Sequence, residues 1–318
     1  MNIRCIHAVM FGGWAALATV SLGADAQQVE VAEQSGIVQF LVEKQPVMVY
    51  RASGAPKKPY VLELRTPAAV NVLRDAPADH KHHHGLMLAL GVDGVDFWSE
   101  QANCGRQVQH DLQTHCTSQS TTDPAGRQTT GFQFTLQQRL AWLGPQGDEQ
   151  LLVEQRQLTL TRSEDGKATL LCWQSLLEPA PDKQKAVLDG RHYFGLGMRF
   201  VASMDKDGVF FNADGKDGEV VRGTEKLTPV RWMAYTASVD GKPVTVAIFD
   251  HPQNPRHPAP VFTMTGGFAY MSATLNLWKE KLDIAAGKPL LLRYGVALWD
   301  ARAEPQQVEA LYRQWSKQ

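Results

Sequence analysis

Four histidines lie within five positions of this 318-residue chain, at His80, His82, His83 and His84. Histidine changes charge near neutral pH and is the most common metal ligand in proteins. Burying several imidazoles together costs desolvation energy whenever one of them is protonated, so a protein core gains nothing from such a cluster. The cluster is therefore the best candidate for a functional site in this sequence.

The spacing of the cluster is compatible with two chemistries. If the segment is extended, His80, His82 and His84 share one face and His83 points the other way. Three imidazoles on one face could hold a transition metal with an open coordination position. They could equally donate hydrogen bonds to sugar hydroxyls while one acts as general acid or base. No second motif has familiar metal-ligand spacing, so no cofactor is required, and a divalent metal at His80–His84 is the alternative.

Three residues near the cluster carry groups that could assist it. Arg74 offers a planar fork of donors suited to carboxylates or vicinal hydroxyls. Asp79 could orient a histidine through its second ring nitrogen. Trp98 could stack on the apolar face of a pyranose ring, although such an aromatic residue often belongs to the core. The neighbourhood therefore favours a polar, ring-shaped ligand.

Two later segments add similar groups. Asp250–Pro258 contains three prolines, which predict a rigid loop at the end of a strand, and Asp250, Asn254 and His257 offer donors and acceptors within it. Further upstream, His192 is a candidate acid–base partner and Arg199 a candidate orienting cation.

We expect the imidazoles near position 80 to face the Asp250–His257 loop across one shared hollow. The expected catalytic residues are His80, His82, His83, His192, Asp250 and His257. The expected ligand-binding residues are Arg74, Asp79, His84, Trp98, Arg199 and Asn254.

The dominant period along the chain is two, as in half-buried strands. Tight turns such as Asp165-Gly166 and Asp240-Gly241 separate the segments, and this organisation predicts an all-β fold: a large antiparallel β-sandwich. One C-terminal helix is expected after Pro305, because apolar residues recur there at helical spacing. The predicted strands are Ile37–Val42, Val47–Arg51, Tyr60–Leu64, Leu86–Val92, Phe132–Gln137, Gln157–Thr161, Ala168–Leu177, Val209–Phe211, Trp232–Val239, Val244–Phe249, Gly267–Leu275 and Leu290–Leu298.

The N-terminus resembles a secretory signal. A positive start at Arg4, a short apolar run and Ala24-Asp25-Ala26 predict a signal peptide over residues 1–26. Residues 27–318 are then expected to form a single β-sandwich domain that is secreted or periplasmic. No later segment is long and apolar enough to cross a bilayer, so no membrane association is expected after signal removal.

Composition and missing motifs exclude several classes. The chain has 32 basic and 33 acidic residues, which gives no field that would attract nucleic acid. The sequence lacks a serine-hydrolase elbow, a phosphate-binding glycine loop and a dinucleotide fingerprint. Cys104 and Cys116 lie in a polar stretch predicted to be a loop, where an oxidising compartment could join them. Cys172 is expected to be a small buried residue.

Three motifs carry a family resemblance: Arg74–Leu86, Asp96–Trp98 and Asp250–Pro258. Together they resemble an exported bacterial family labelled methane oxygenase PmoA-like, over roughly Val47 to Trp299. In many members of that family we expect an arginine where His84 stands. A membrane-bound methane oxygenase subunit needs transmembrane helices, which this sequence lacks after the signal, so the resemblance instead implies a role in bacterial sugar breakdown.

The order of arginine, clustered histidines, a later histidine and an aspartate is also similar to β-supersandwich proteins of the aldose-epimerase type. That similarity implies a histidine acid and a carboxylate base acting on a sugar ring. The leading hypothesis is therefore an exported carbohydrate-active enzyme, an isomerase, lyase or hydrolase, whose substrate is a small sugar or an oligosaccharide. The alternatives are a carbohydrate-binding protein without catalysis and a histidine-cluster metalloprotein.

Overall fold

The computed structural model describes residues 27–54, 56–122 and 128–318, so the predicted signal peptide lies outside the described residues. The regular secondary structure of the described chain consists of strands, a short 3-10 helix at Ala202–Asp205 and one α-helix. The elements are β1 (Val29–Gln34), β2 (Ile37–Val42), β3 (Gln45–Arg51), β4 (Tyr60–Leu64), β5 (Leu86–Ala89), β6 (Gly91–Val92), β7 (Val95–Asp96), β8 (Arg106–Thr122), β9 (Gln128–Leu143), β10 (Gln150–Arg162), β11 (Ala168–Pro179), β12 (Lys185–Asp189), β13 (Gly195–Arg199), β14 (Val209–Asn212), β15 (Glu219–Arg222), β16 (Glu225–Pro229), β17 (Trp232–Val239), β18 (Lys242–Asp250), β19 (Pro260–Met264), β20 (Tyr270–Thr274), β21 (Leu282–Ala285), β22 (Leu290–Trp299) and α1 (Pro305–Trp315).

The strands form two large sheets and one small sheet. The ten-stranded sheet has the order β1-β2-β3-β4-β5-β13-β20-β19-β16-β15, and the eight-stranded sheet has the order β14-β17-β18-β22-β11-β10-β9-β8. The small sheet is β21-β12-β6-β7, and neighbouring strands pair antiparallel. The predicted all-β antiparallel sandwich with a C-terminal helix is confirmed.

Strand alternation gives the ten-stranded sheet two different faces. In β20, Met271 and Ala273 join the hydrophobic cluster that lies between the large sheets. Tyr270 belongs to a separate cluster with Trp98 and Phe262, on the opposite face of the same sheet. Because successive side chains of a strand point to opposite faces, Tyr270 faces away from the central core. This outer face supports the site described below.

The outer face of the eight-stranded sheet is covered at one end by α1. The helix begins with a capping box between Glu304 and Gln307, and Pro305 occupies its first turn. Its buried residues include Val308 and Trp315, which pack on the sheet in a third hydrophobic cluster. The predicted start at Pro305 is confirmed. No helix among the described residues is long and apolar enough to span a membrane.

Strand β8 contradicts the loop predicted for Cys104–Cys116. Arg106–Thr122 is a long edge strand that pairs with β9 along its length. One flank of an edge strand is unpaired and polar side chains are tolerated along it, which removes the apolar signal of a strand. Cys104 and Cys116 are both buried, and no disulfide joins them.

Candidate functional site

Two successive turns shape the histidine segment. The backbone nitrogen of His80 donates to the oxygen of Pro77, and that of His83 donates to the oxygen of His80, both at 2.9 Å. The turns remove the two-residue alternation of an extended chain, so the expectation that His84 shares a face with His80 and His82 is wrong. A Cβ at Gly85 would lie 2.1 Å from the oxygen of Val61, which explains why the segment ends in glycine.

His80, His82 and His83 line one cavity of about 510 Å³ on the outer face of the ten-stranded sheet. We call it the histidine cavity. Aromatic rings make up much of its wall, and its polar rim carries two arginines and one glutamate. The other lining residues are Trp98, Ser99, Arg191, Tyr193, Arg222, Glu225, Phe262, Met264, Gly266, Phe268 and Tyr270.

The imidazoles pack as rings within this aromatic wall. His80 and His83 stack with centroids 4.7 Å apart and planes at 27°, while His82 meets His83 edge-on at 4.7 Å. A ring nitrogen binds a metal in the plane of its own ring, so stacked rings do not direct their nitrogens at one ion. Among the residues that the structure describes, no group of three or more His, Cys, Asp or Glu side chains is placed to hold a metal.

Several buried polar atoms below the cavity have no hydrogen-bond partner within the described part of the chain. They are Nδ1 of His83, the hydroxyls of Tyr270 and Ser272, and Nε and Nη1 of Arg199. Most buried polar groups of native proteins are paired, because an unpaired one costs about 1–3 kcal/mol. Of these residues, His83 and Tyr270 line the cavity, so polar groups stand directly behind its aromatic wall.

Asp79 and His80 form a carboxylate–histidine pair at the cavity. Oδ2 of Asp79 lies 2.9 Å from Nδ1 of His80, and Nη2 of Arg199 donates to the same oxygen at 3.2 Å. The hydrogen bond with His80, together with Arg199, lowers the pKa of Asp79 to about 2. An ionised Asp79 fixes the proton of His80 on Nδ1, which leaves Nε2 to exchange a proton with a ligand. Arg199 also packs 3.5 Å over the ring of Phe268.

His82 and His83 differ from His80 because neither has a carboxylate partner in the described structure. Burial lowers the pKa of His83 to about 2, and burial also lowers the pKa of His82. Both rings are therefore neutral at ordinary pH. They suit hydrogen bonding to uncharged hydroxyls better than proton transfer near neutrality.

His192 lies behind the opposite wall. Its Nε2 is 2.9 Å from Oε2 of Glu225, and Arg222 donates to the other carboxylate oxygen at 2.6 Å. Burial would raise the pKa of Glu225, but the bonds from Arg222 and His192 outweigh it and lower that pKa. Glu225 is thus an ionised carboxylate at the cavity, held by His192. It was missed by the sequence analysis, since a single glutamate in a short strand carries no motif.

His84 points away from the cavity into a buried polar network. Its Nδ1 lies 2.6 Å from Asp75, its Nε2 lies 3.2 Å from Glu100, and its ring stacks on Tyr60. Lys58 donates to the same oxygen of Glu100 at 2.8 Å. Burial alone would lower the pKa of His84, but the bonds to Asp75 and Glu100 raise it above its ordinary value. The raised pKa means that the ring is protonated more readily than a free imidazole, and a protonated ring donates to both Asp75 and Glu100.

The stability that His84 contributes should depend on pH. Because its folded pKa is raised above 6.5, the contribution is complete below that pH and is lost as the pH rises through the folded pKa. We expect His84→Gln to lower the free energy of unfolding by about 2 kcal/mol at pH 6 and by less at pH 9. Urea denaturation at both pH values measures the difference. His115→Gln, at an exposed position, is the control. An equal loss of stability at both pH values in His84→Gln would contradict the assignment of a raised pKa to His84.

The Asp250 loop does not share the cavity, so the expected convergence of the two histidine segments is wrong. Asp250 is buried, lies 2.9 Å from His257 and accepts a bond from Asn254 at 2.7 Å. Asn254 also bonds the backbone of Arg293 in β22. The loop carries the chain from β18 in one large sheet to β19 in the other, and the side chains of Asp250, Asn254 and His257 bond one another or the backbone of β22.

Of the remaining predicted residues, one lines the cavity, one lies behind it and one lies outside it. Trp98 is among the lining residues but is almost fully buried, and Arg199 supports the cavity through Asp79. Arg74 is outside the lining and lies 3.7 Å from Asp205. Tyr270 and Phe262 were not predicted from the sequence, because aromatic residues in strands are usually core residues and their outward direction depends on register.

Gly197 makes room for the floor of the cavity. A Cβ there would lie 1.9 Å from the hydroxyl oxygen of Tyr270 and 3.3 Å from the ring of Trp98. We expect Gly197→Ala to displace Tyr270 and to lower the free energy of unfolding by about 1–3 kcal/mol. Thermal unfolding and near-ultraviolet circular dichroism measure both effects. Gly144→Ala, whose Cβ would have no neighbour closer than 3.6 Å, is the matched control and should change neither.

A larger groove of about 890 Å³ lies on the open part of the eight-stranded sheet. Gln113, Gln137, Gln157 and Gln174 face one another across four strands there. Its lining contains no aromatic ring and no histidine. The histidine cavity is therefore the stronger candidate for chemistry.

Fold and site define an antiparallel β-sandwich with a histidine-rich aromatic cavity on the outer face of its larger sheet. The chain belongs to the family of unknown function DUF6807, whose model matches residues 37–313. The PmoA-like label suggested by the sequence motifs has no support in this match. A search of curated proteins finds no match.

Solved structures give distant similarities. A Glycoside Hydrolase Family 97 enzyme from Pseudoalteromonas sp. strain K8, in complex with panose, has a TM-score of 0.42 and 9% identity and is matched over 89% of this chain and 36% of its own. An alpha-galactosidase from Lactobacillus brevis has a TM-score of 0.44 and 10% identity, over 94% of this chain and 42% of its own.

A galactose mutarotase related enzyme from Lactobacillus acidophilus has a TM-score of 0.31 and 7% identity, over 87% of this chain and 99% of its own. The chain therefore spans less than half the length of the first two proteins. Similarities at these TM-scores transfer no activity, so a function has to be argued from the cavity itself.

Proposed function

We propose that this protein is a carbohydrate-active enzyme that binds a sugar ring in the histidine cavity and transfers protons through the Asp79–His80 pair. The imidazoles of His80, His82 and His83, which line one cavity together with aromatic rings and Glu225, carry this proposal. Sugars present both kinds of surface, with hydroxyls at the ring edge and apolar C–H groups on the ring face. The predicted signal peptide would place the enzyme outside the cytoplasm.

The charged groups of the cavity favour isomerisation or elimination over hydrolysis. Most glycoside hydrolases use two carboxyl groups flanking the scissile bond. Glu225 is the only acidic residue in the lining of this cavity. A histidine and a carboxylate on one cavity suit paired proton transfers instead: one group removes a proton from the sugar while the other returns a proton to a second atom.

A panel of aldoses and uronates, each tested alone and as short oligosaccharides, tests the proposal. Proton NMR would follow exchange between the anomers and the appearance of an unsaturated product. We expect conversion of at least one sugar by the wild-type protein. No conversion of any sugar, and no perturbation of tryptophan fluorescence by any of them, would contradict a sugar site.

Binding without catalysis is the second candidate. The neutral state of His82 and His83 favours it, since neutral imidazoles and aromatic rings are sufficient to hold a sugar. Fluorescence changes upon sugar addition with no product after long incubation would support that function over the enzyme.

A further inference from the structure

A second cavity of about 420 Å³ adjoins the histidine cavity. We call it the tryptophan cleft. It lies beside Trp278, and its lining combines glycines with acidic and basic side chains. The lining residues are Gly91, Gly94, Asp96, Asp189, Gly190, Arg191, Phe194, Leu277, Trp278, Lys279, Glu280 and Lys281.

Two residues connect the cavities. Arg191 lines both of them. His192 bonds Glu225 in the histidine cavity, and its ring meets Trp278 edge-on with centroids 5.8 Å apart. The two cavities therefore adjoin at Arg191, so a ligand longer than the histidine cavity would extend toward the tryptophan cleft.

Trp278 is unusual among the aromatic residues of the described chain. Its exposed fraction is 40%, and it is the only aromatic among the large hydrophobic residues that the structure leaves exposed. When the apolar face of a sugar ring packs on an exposed indole ring, apolar surface of both is removed from water, and this favours binding. The adjacent Lys279 lies at 5.2 Å from the ring centroid and extends the surface beyond it.

The cleft also offers acceptors at its floor. Asp189 accepts a bond from the backbone of Gly94 at 3.1 Å and lies 3.6 Å from Lys281. Only glycine fits at position 91, because a Cβ there would lie 2.1 Å from Oδ1 of Asp189. Asp189 therefore packs against the backbone of Gly91 and keeps a partly exposed carboxylate at the edge of the cleft.

We propose that the tryptophan cleft is a second sugar subsite, so that the ligand is an oligosaccharide of at least two rings. One ring occupies the histidine cavity and the next stacks on Trp278, with Arg191 and Asp189 binding its hydroxyls. This inference depends on the proposed sugar site and adds the size of its ligand.

Isothermal titration with matched mono- and trisaccharides tests the subsite. The probes are glucose, galactose, mannose and xylose, and the β-1,4-linked trisaccharide of each. For a sugar that binds, we expect the trisaccharide to bind at least 10-fold more tightly than the monosaccharide. Trp278→Ala should remove that gain while changing monosaccharide affinity less than twofold, and Trp278→Phe should retain part of it. Val220→Ala, another exposed position, is the control.

The outcomes separate the two proposals. If monosaccharides and trisaccharides bind the wild-type protein equally, or if Trp278→Ala weakens both equally, the subsite is wrong and the sugar site stands. If no monosaccharide and no trisaccharide binds, the proposed sugar site is wrong, and the proposed subsite is wrong as well.

Discussion

Replacing His80 with alanine should lower kcat/KM about 10²- to 10⁴-fold on any sugar that the wild-type protein converts. His80 is the only histidine lining the cavity whose ring has a carboxylate partner in the described structure. Asp79 has a pKa of about 2 and stays ionised in any practical assay, so it holds the proton of His80 on Nδ1. Removing the ring removes the group that exchanges protons at Nε2.

Comparison with two other histidines makes this result specific. His82→Ala removes a neutral ring of the same cavity, so it should raise KM more than it lowers kcat. His115→Ala, on the exposed side of β8, should change neither. Steady-state kinetics gives kcat and KM for the three variants, and thermal unfolding confirms that each of them is folded. Equal losses of kcat in His80→Ala and His82→Ala would contradict the assignment of proton transfer to His80.

Asp79→Asn tests the same pair from the carboxylate side. The amide keeps the size of Asp79 and its contact with Arg199 becomes weaker, because the charge is gone. An uncharged partner no longer fixes the proton on Nδ1 of His80, so kcat should fall while the sugar still binds. A similar dependence on an orienting carboxylate is known for catalytic histidines in general.

Local patterns were sufficient to predict the elements but not their assembly. Trp232–Val239 is a strand with the predicted bounds, and Pro305 starts the helix, because both patterns arise within a few residues. The polar edge strand β8 was taken for a loop, since its pairing with β9 is what makes it a strand. Periodicity describes one segment at a time and does not give its partner.

The same reasoning explains the outcome for the site. The histidine cluster was found from the residue type and its close spacing alone, and three of its four rings line one cavity. The turns that send His84 to the other side follow from hydrogen bonds of Pro77 and His80 that no periodicity encodes. Likewise, the Asp250 loop was expected at the cavity because both segments are polar. Its side chains instead bond one another and the backbone of β22.

Replacing Arg156 with methionine should lower the free energy of unfolding by about 3–5 kcal/mol. Arg156 and Glu154 are fully buried in β10 and joined by two bonds of 2.8 and 2.9 Å. The guanidinium also donates to Tyr50, to the oxygen of Pro59 and to Gln107. All five donors are therefore used. Without Arg156, the carboxylate of Glu154 stays buried with no cation beside it.

The double variant Arg156→Met/Glu154→Leu distinguishes this cause from a general loss of packing. It removes the unpaired buried charge, so it should be more stable than Arg156→Met alone, although Tyr50 and Gln107 lose the guanidinium and Trp142 and Ser175 lose the carboxylate to which they donate. Lys185→Ala, which breaks the exposed pair with Asp283, should cost less than about 1 kcal/mol. Guanidinium denaturation at pH 7 measures all three. A double variant no more stable than the single one would mean that burial of the charge is not what makes Arg156 necessary.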